Sequence, residues 1–169
     1  MPAGGGAARA EQIATLEGLA HQKLVSEEVE RLLTQWIDPA TGASAESPTE
    51  SWDEPSRAPL RETWRDFSRA KKLPSDFVIR LSRECSLAQQ AWVTAREESR
   101  FSKFLPSLKT VLGLKRDEAH YLGYRDSPYD ALLDTYEPGA TVAQLTPLFA
   151  RLRARLVPLL KRVQSSPVT

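Results

Sequence analysis

The side chains able to do chemistry here are few. Two histidines, His21 and His120, stand far apart, and neither has another histidine three to five residues away. The pairing that clamps zinc on one helical face is therefore missing. His21 is expected near the end of a first helix, where an imidazolium meets the negative end of the helix dipole. Cys85 is the lone cysteine, so neither an internal disulfide nor a cysteine-based zinc cage is possible. It falls on an apolar helical seam and reads as a small buried hydrophobe, not a reactive thiol. The carboxylates Asp126, Asp130, Asp134 and Glu137 crowd one stretch, and Asp130 and Asp134 lie one turn apart on one face. A general acid or base also needs burial or a charged neighbour, so capping and solvation are the expected roles. Glycine-rich phosphate loops and nucleophile elbows are absent from the sequence. No catalytic, cofactor-binding or metal-binding residue is expected, and no cofactor.

Those acids lie in "DSPYDALLDTYEPG", residues 126–139, a segment punctuated at both ends. Ser127 is placed to accept from first-turn N–H groups, Pro128 suits the first helical position, and Asp130 sits where a capping box wants an acid. Pro138 disfavours a helical Glu137, and Gly139 supplies the backbone freedom for a reversal. A helix of two to three turns from Pro128 results. Tyr129 and Tyr136, seven residues apart, then share a face, and with Tyr124 they offer apolar rings with polar tips.

The elements positioning these residues are all helical by period. Ala10, Ile13, Leu16, Ala20 and Leu24 predict a helix after the triple glycine Gly4 to Gly6. Ser26 caps a second through Val29, Leu32, Leu33 and Trp36, so the two should form an antiparallel hairpin. Residues 38–55 are rich in Ser, Thr, Pro, Gly and acid, with Trp52 the one aromatic; they read as a long flexible loop. Leu60, Trp64 and Phe67 resume the helical step before a break at Leu73-Pro74 and a new cap at Ser75. Val78, Leu81, Cys85, Ala88, Trp92 and Ala95 make a heptad-like seam over about five turns. Phe101 to Leu112 follows, with Pro106 in its first turn or at a kink, and ends near Gly113 unless Lys115 to Leu122 continues it. Thr141 and Gln144 form a capping box for a last long helix, bent at Pro147 and Pro158. No stretch alternates as a strand does. The expected fold is all-α, an antiparallel bundle of about six to seven helices in one domain, 1–169, with one long mobile loop.

Composition narrows the partners. Lys plus Arg number 23 against 22 for Asp plus Glu, a formal charge of +1, so no global field attracts nucleic acid or an anionic membrane. The N-terminus lacks a secretory signal, and no run approaches the roughly 18 apolar residues of a membrane span. A reducing cytoplasm is the expected compartment. Arg151, Arg153, Arg155, Lys161 and Arg162 concentrate positive charge toward the end of the last helix, where the dipole favours it. Arg151 and Arg155 share one side and offer a surface to an acidic partner.

Three stretches, "MPAGGGAARAEQIATLEGLAH" (1–21), "LAQQAWVTARE" (87–97) and "SPYDALLDTYEPGATVAQLTPLF" (127–149), resemble the N-terminal helical region of the carboxypeptidase Taq family, in the same order, as far as about Val163. The resemblance implies a nearly all-helical chain, much longer than this one, usually a homodimer, with a deep groove between two halves. It also implies zinc held in the later half by a His-Glu-x-x-His helix and a downstream glutamate, neither of which occurs here. This chain would then match the wall or lid of the groove, without the helix that family members usually place before residue 1. The expected role is non-catalytic: self-association as a homodimer, or binding and regulation of a full-length carboxypeptidase of the family. The candidate interaction surface is Tyr124, Tyr129, Tyr136, Arg151 and Arg155. The alternative is a fragment or split subunit of a zinc carboxypeptidase that removes C-terminal residues.

Overall fold

A computed structural model describes residues 4–43 and 54–166, with the side chains of 54–57 excluded. Seven helices occur among them: α1 (Gly6–Leu24), α2 (Glu27–Leu33), α3 (Glu54–Ala70), α4 (Ser75–Glu97), α5 (Phe101–Leu122), α6 (Pro128–Leu133) and α7 (Val142–Gln164). The described residues form no sheet, and the all-α expectation is met. None of their helices is long and apolar enough to cross a membrane. The chain divides into two compact units, Met1–Asp117 and Glu118–Thr169.

In the first unit α1 lies against α4, not against α2 as a hairpin would require. Its buried stripe is Ala10, Ala14, Gly18 and His21, whereas Ile13 and Leu16 point to solvent, Leu16 at 66 % exposure. The reason is close approach. A Cβ on Gly18 would sit 2.5 Å from Cγ1 of Ile79, and one on Gly6 would run into the side-chain amide of Gln90. The partners descend α4 as α1 ascends, so the helices are antiparallel. Small side chains let the two backbones come together where larger ones would hold them apart, and the large apolar residues of α1 are left on the outer face.

α2 packs against α3. It ends at Leu33, not at Trp36, and Ile37 just beyond it is fully buried together with Phe67 and Leu114. Trp64 stacks on Phe67 with ring centroids 5.5 Å apart, consistent with the Leu60, Trp64, Phe67 period. Of residues 38–55, Asp38 to Ala43 form an ordered turn in which the Asp38 carboxylate accepts from Ala40 N and the Thr41 hydroxyl. Those two donors hold its pKa below the ordinary value, Ala40 first. Trp52 and the rest of that loop up to residue 53 lie outside the described residues.

Ser75 is the first helical residue of α4 and not its cap; Pro74 holds that position, with no side-chain hydrogen bond. The buried positions of α4 are Phe77, Ala88 and Ala95, so only part of the predicted seam is covered. Trp92 is 43 % exposed, with the Arg96 guanidinium 5.3 Å from its ring centre. α4 stops in a six-to-one bond, Arg100 N to Ala95 O at 2.8 Å, with Ser99 left-handed at φ 52°. That is a Schellman-type stop with serine where glycine is usual. α5 then runs unbroken through Pro106 and Gly113 to Leu122.

Candidate functional site

His21 and His120 are held apart from any ligand set. His21 is only 7 % exposed, and its Nε2 lies 3.0 Å from the Leu73 carbonyl. A carbonyl only accepts, so Nε2 carries the proton and donates. The ring is at the end of α1 as expected, yet its partner is a carbonyl from the turn before α4 and not the terminus of its own helix. His120 is exposed, with Nδ1 3.5 Å from the Tyr124 hydroxyl. Cys85 is half-buried, not buried, and lines a shallow groove of about 340 Å³ with Ala88, Trp92, Phe104, Leu108 and Val111. No group of three metal-ligating side chains occurs among the described residues.

The acids of 126–139 act as braces. Ser127 accepts from Tyr129 N, and Pro128 opens α6. Asp130 Oδ1 accepts from Val142 N at 2.7 Å, so a side chain on α6 satisfies a donor in the first turn of α7. Asp134 Oδ1 accepts from Gly139 N at 2.9 Å, across a reversal in which Gly139 has φ 76°. Only glycine takes that backbone without strain. The Thr141 hydroxyl and the Gln144 side chain complete the predicted capping box. The result fixes the direction in which α7 leaves α6.

α6 has six residues, shorter than two to three turns, so Tyr136 sits in the turn after it. Tyr129 and Tyr136 therefore do not share a helical face. All three tyrosines are exposed, Tyr136 at 86 %. Arg151 and Arg155 are exposed on α7.

α7 itself is the feature that sequence reasoning underweighted. It has no buried residue, although Leu148, Phe149, Leu152, Leu156, Leu160 and Val163 recur at helical steps. Phe149 is 57 % and Val163 64 % exposed. Apolar residues at this period ordinarily mark a face turned to a core. The alternation of leucine and arginine in "FARLRARLVPLLKRV" was visible; what it faces was not.

Among its described residues the chain is an all-helical framework whose last helix displays an uncovered apolar stripe. The sequence model of the carboxypeptidase Taq (M32) metallopeptidase family matches residues 1–169, and the chain belongs to that family. It is similar to the thermostable carboxypeptidase 1 of Thermus thermophilus, 32 % identical over 98 % of this chain and 33 % of that protein. It is also similar to the Pyrococcus furiosus thermostable carboxypeptidase 1, 38 % identical over 68 % of this chain and 23 % of that one. Among solved structures, that of BsuCP superposes with TM-score 0.86 at 30 % identity, over 99 % of this chain and 32 % of that one. Trypanosoma cruzi metallocarboxypeptidase 1 gives 0.73 at 34 % identity, over 97 % and 31 %. The chain thus spans a third or less of the length of these relatives.

Proposed function

We propose that this chain is a non-catalytic scaffold piece of the metallocarboxypeptidase fold, working by protein contact with a polypeptide that carries the zinc site. The uncovered apolar face of α7 carries this reading: a helix so patterned gains stability only when that face is buried. The relatives' threefold greater length supports it, since the matching segment makes up a third or less of each of them. In this role the chain forms one wall or lid of a substrate groove and modulates the catalytic partner. Tyr124, Tyr129 and Tyr136 add exposed contact surface. Self-association as a homodimer is a further form of the same behaviour, and the exposed Ile13 and Leu16 on α1 give it a second face. We place the protein in a reducing cytoplasm, in keeping with its single cysteine.

The second reading is that the chain is one part of a zinc carboxypeptidase that removes C-terminal residues from peptides, favoured by superposition over 99 % of its length on a solved family member. One experiment separates the two. The purified chain, with zinc or cobalt added, is assayed for release of C-terminal residues, then mixed with the full-length Thermus thermophilus thermostable carboxypeptidase 1 and sedimented. We expect no release by the chain alone, and co-sedimentation with altered peptidase rate in the mixture. Release by the chain alone that a chelator abolishes overturns the scaffold reading; a strictly monomeric chain with no effect on the peptidase removes the regulatory one.

A further inference from the structure

α7 carries Arg151, Arg153, Arg155, Lys161 and Arg162 and not one acidic residue between Val142 and Gln164. Arg151, Arg155 and Arg162 follow one another at steps of four and seven. At 3.6 residues per turn they line one edge of the apolar stripe. None of the five cations has an acidic partner among the described residues. Pro147 and Pro158, eleven residues apart, fall on the side of the helix opposite the stripe. There the backbone bonds that the two prolines cannot make lie away from the apolar face.

We infer that α7 docks on a protein surface that is apolar at its centre and bordered by carboxylates along the side meeting Arg151, Arg155 and Arg162. The inference rests on the scaffold reading and specifies the partner's chemistry. A second α7 is the wrong partner. In an antiparallel pair the same edges meet, setting the three arginines of one copy against those of the other; in a parallel pair they meet the edge holding Arg153. Like charges so placed, with no acid on the helix to offset them, disfavour the pairing. A flat anionic bilayer suits the charge of α7, but the whole chain carries a formal charge of only +1 and so has no global field toward one. The relatives are about three times as long, so the matching segment has further polypeptide in its own chain there.

The test uses the full 169-residue chain and two labelled 23-residue peptides, each an amphipathic helix with a leucine face, one edged with glutamate and the other with lysine. The glutamate-edged peptide is expected to bind at least about tenfold more tightly, with the preference shrinking as salt rises. In the R151E/R155E/R162E variant the preference reverses, and in R151Q/R155Q/R162Q it shrinks to what Arg153 and Lys161 sustain. The arginines are exposed, so circular dichroism should report unchanged helicity in both variants. Equal affinity for the two peptides overturns the inference. So does capture of the native chain, but not the glutamate variant, by phosphatidylserine-containing vesicles without peptide discrimination, which assigns α7 to a membrane surface. Sedimentation with the full-length relative is scored separately: a chain that fails there but discriminates the peptides loses the scaffold reading and keeps the chemistry of α7.

Discussion

Glu11 and Arg83 join α1 to α4 through two parallel hydrogen bonds, Nε to Oε1 at 2.6 Å and Nη2 to Oε2 at 2.8 Å. The bidentate fork fixes the rotation of one helix against the other as well as their separation. It lies between the contacts that Gly6 makes with Gln90 and Gly18 with Ile79.

The pair makes the α1–α4 contact sensitive to acid. The hydrogen bond from Arg83, more than its charge, holds the Glu11 carboxyl below its ordinary value of 4.5. A carboxylate with a depressed folded pKa contributes in full above its unfolded value, and the contribution fades as pH falls through the folded one. Thermal unfolding followed from pH 7 to pH 3 should show a steeper acid limb for the native chain than for Glu11→Gln. Superimposable limbs would remove this role.

The two glycines facing α4 should respond differently to a methyl group. At Gly18 the added carbon meets Cγ1 of Ile79, close to the α4 backbone, so Gly18→Ala is expected to cost about 1 to 3 kcal/mol through overpacking. At Gly6 the obstacle is the end of the flexible Gln90 side chain, and Gly6→Ala should be near neutral. Urea midpoints measure both, and Ile79→Ala should recover much of the loss at Gly18.

Replacing His21 with phenylalanine keeps the ring and removes the donor to the Leu73 carbonyl. An unsatisfied buried partner costs about 1 to 3 kcal/mol, read as a lower urea midpoint with an unchanged slope. A neutral result would mean that the 3.0 Å contact contributes nothing to stability.

Asp130→Ala should loosen the start of α7. Loss of a side-chain acceptor for a first-turn donor costs on the order of 1 kcal/mol, and hydrogen exchange at Val142 is expected to accelerate while that of α4 is untouched. Thr141→Ala, which breaks the capping box, should behave alike.

Ser99 holds a left-handed backbone at the stop of α4. Ser99→Gly relieves that conformation and should raise stability by about 1 kcal/mol; a fall in the denaturation midpoint would argue for a side-chain role instead.

The parts legible in the sequence were those encoded within three or four residues. Ser26, Ser127 with Pro128, Thr141 with Gln144, and Gly139 all act on backbone groups next door, so residue type and spacing determine them. Which face a helix buries is decided by a partner far along the chain. On α1 the large residues Ile13 and Leu16 suggested one stripe, while closeness to α4 selected the small residues Ala10, Ala14 and Gly18. Pro74 took the cap expected at Ser75 because its extended backbone suffices without a side-chain bond. For the candidate surface, the five residues named from sequence are exposed. The leucine stripe between the arginines, the larger part of that surface, reads as core by period alone.

The antiparallel seating of α1 on α4 also sets an order of events on the ribosome. α1 is complete at Leu24, and its partner begins only at Ser75 and ends at Glu97. At typical elongation speeds of about 5 to 20 residues per second, α1 waits roughly 3 to 15 s for its own α4 to emerge. Until then the face of Ala10, Ala14 and Gly18 lacks its α4 cover.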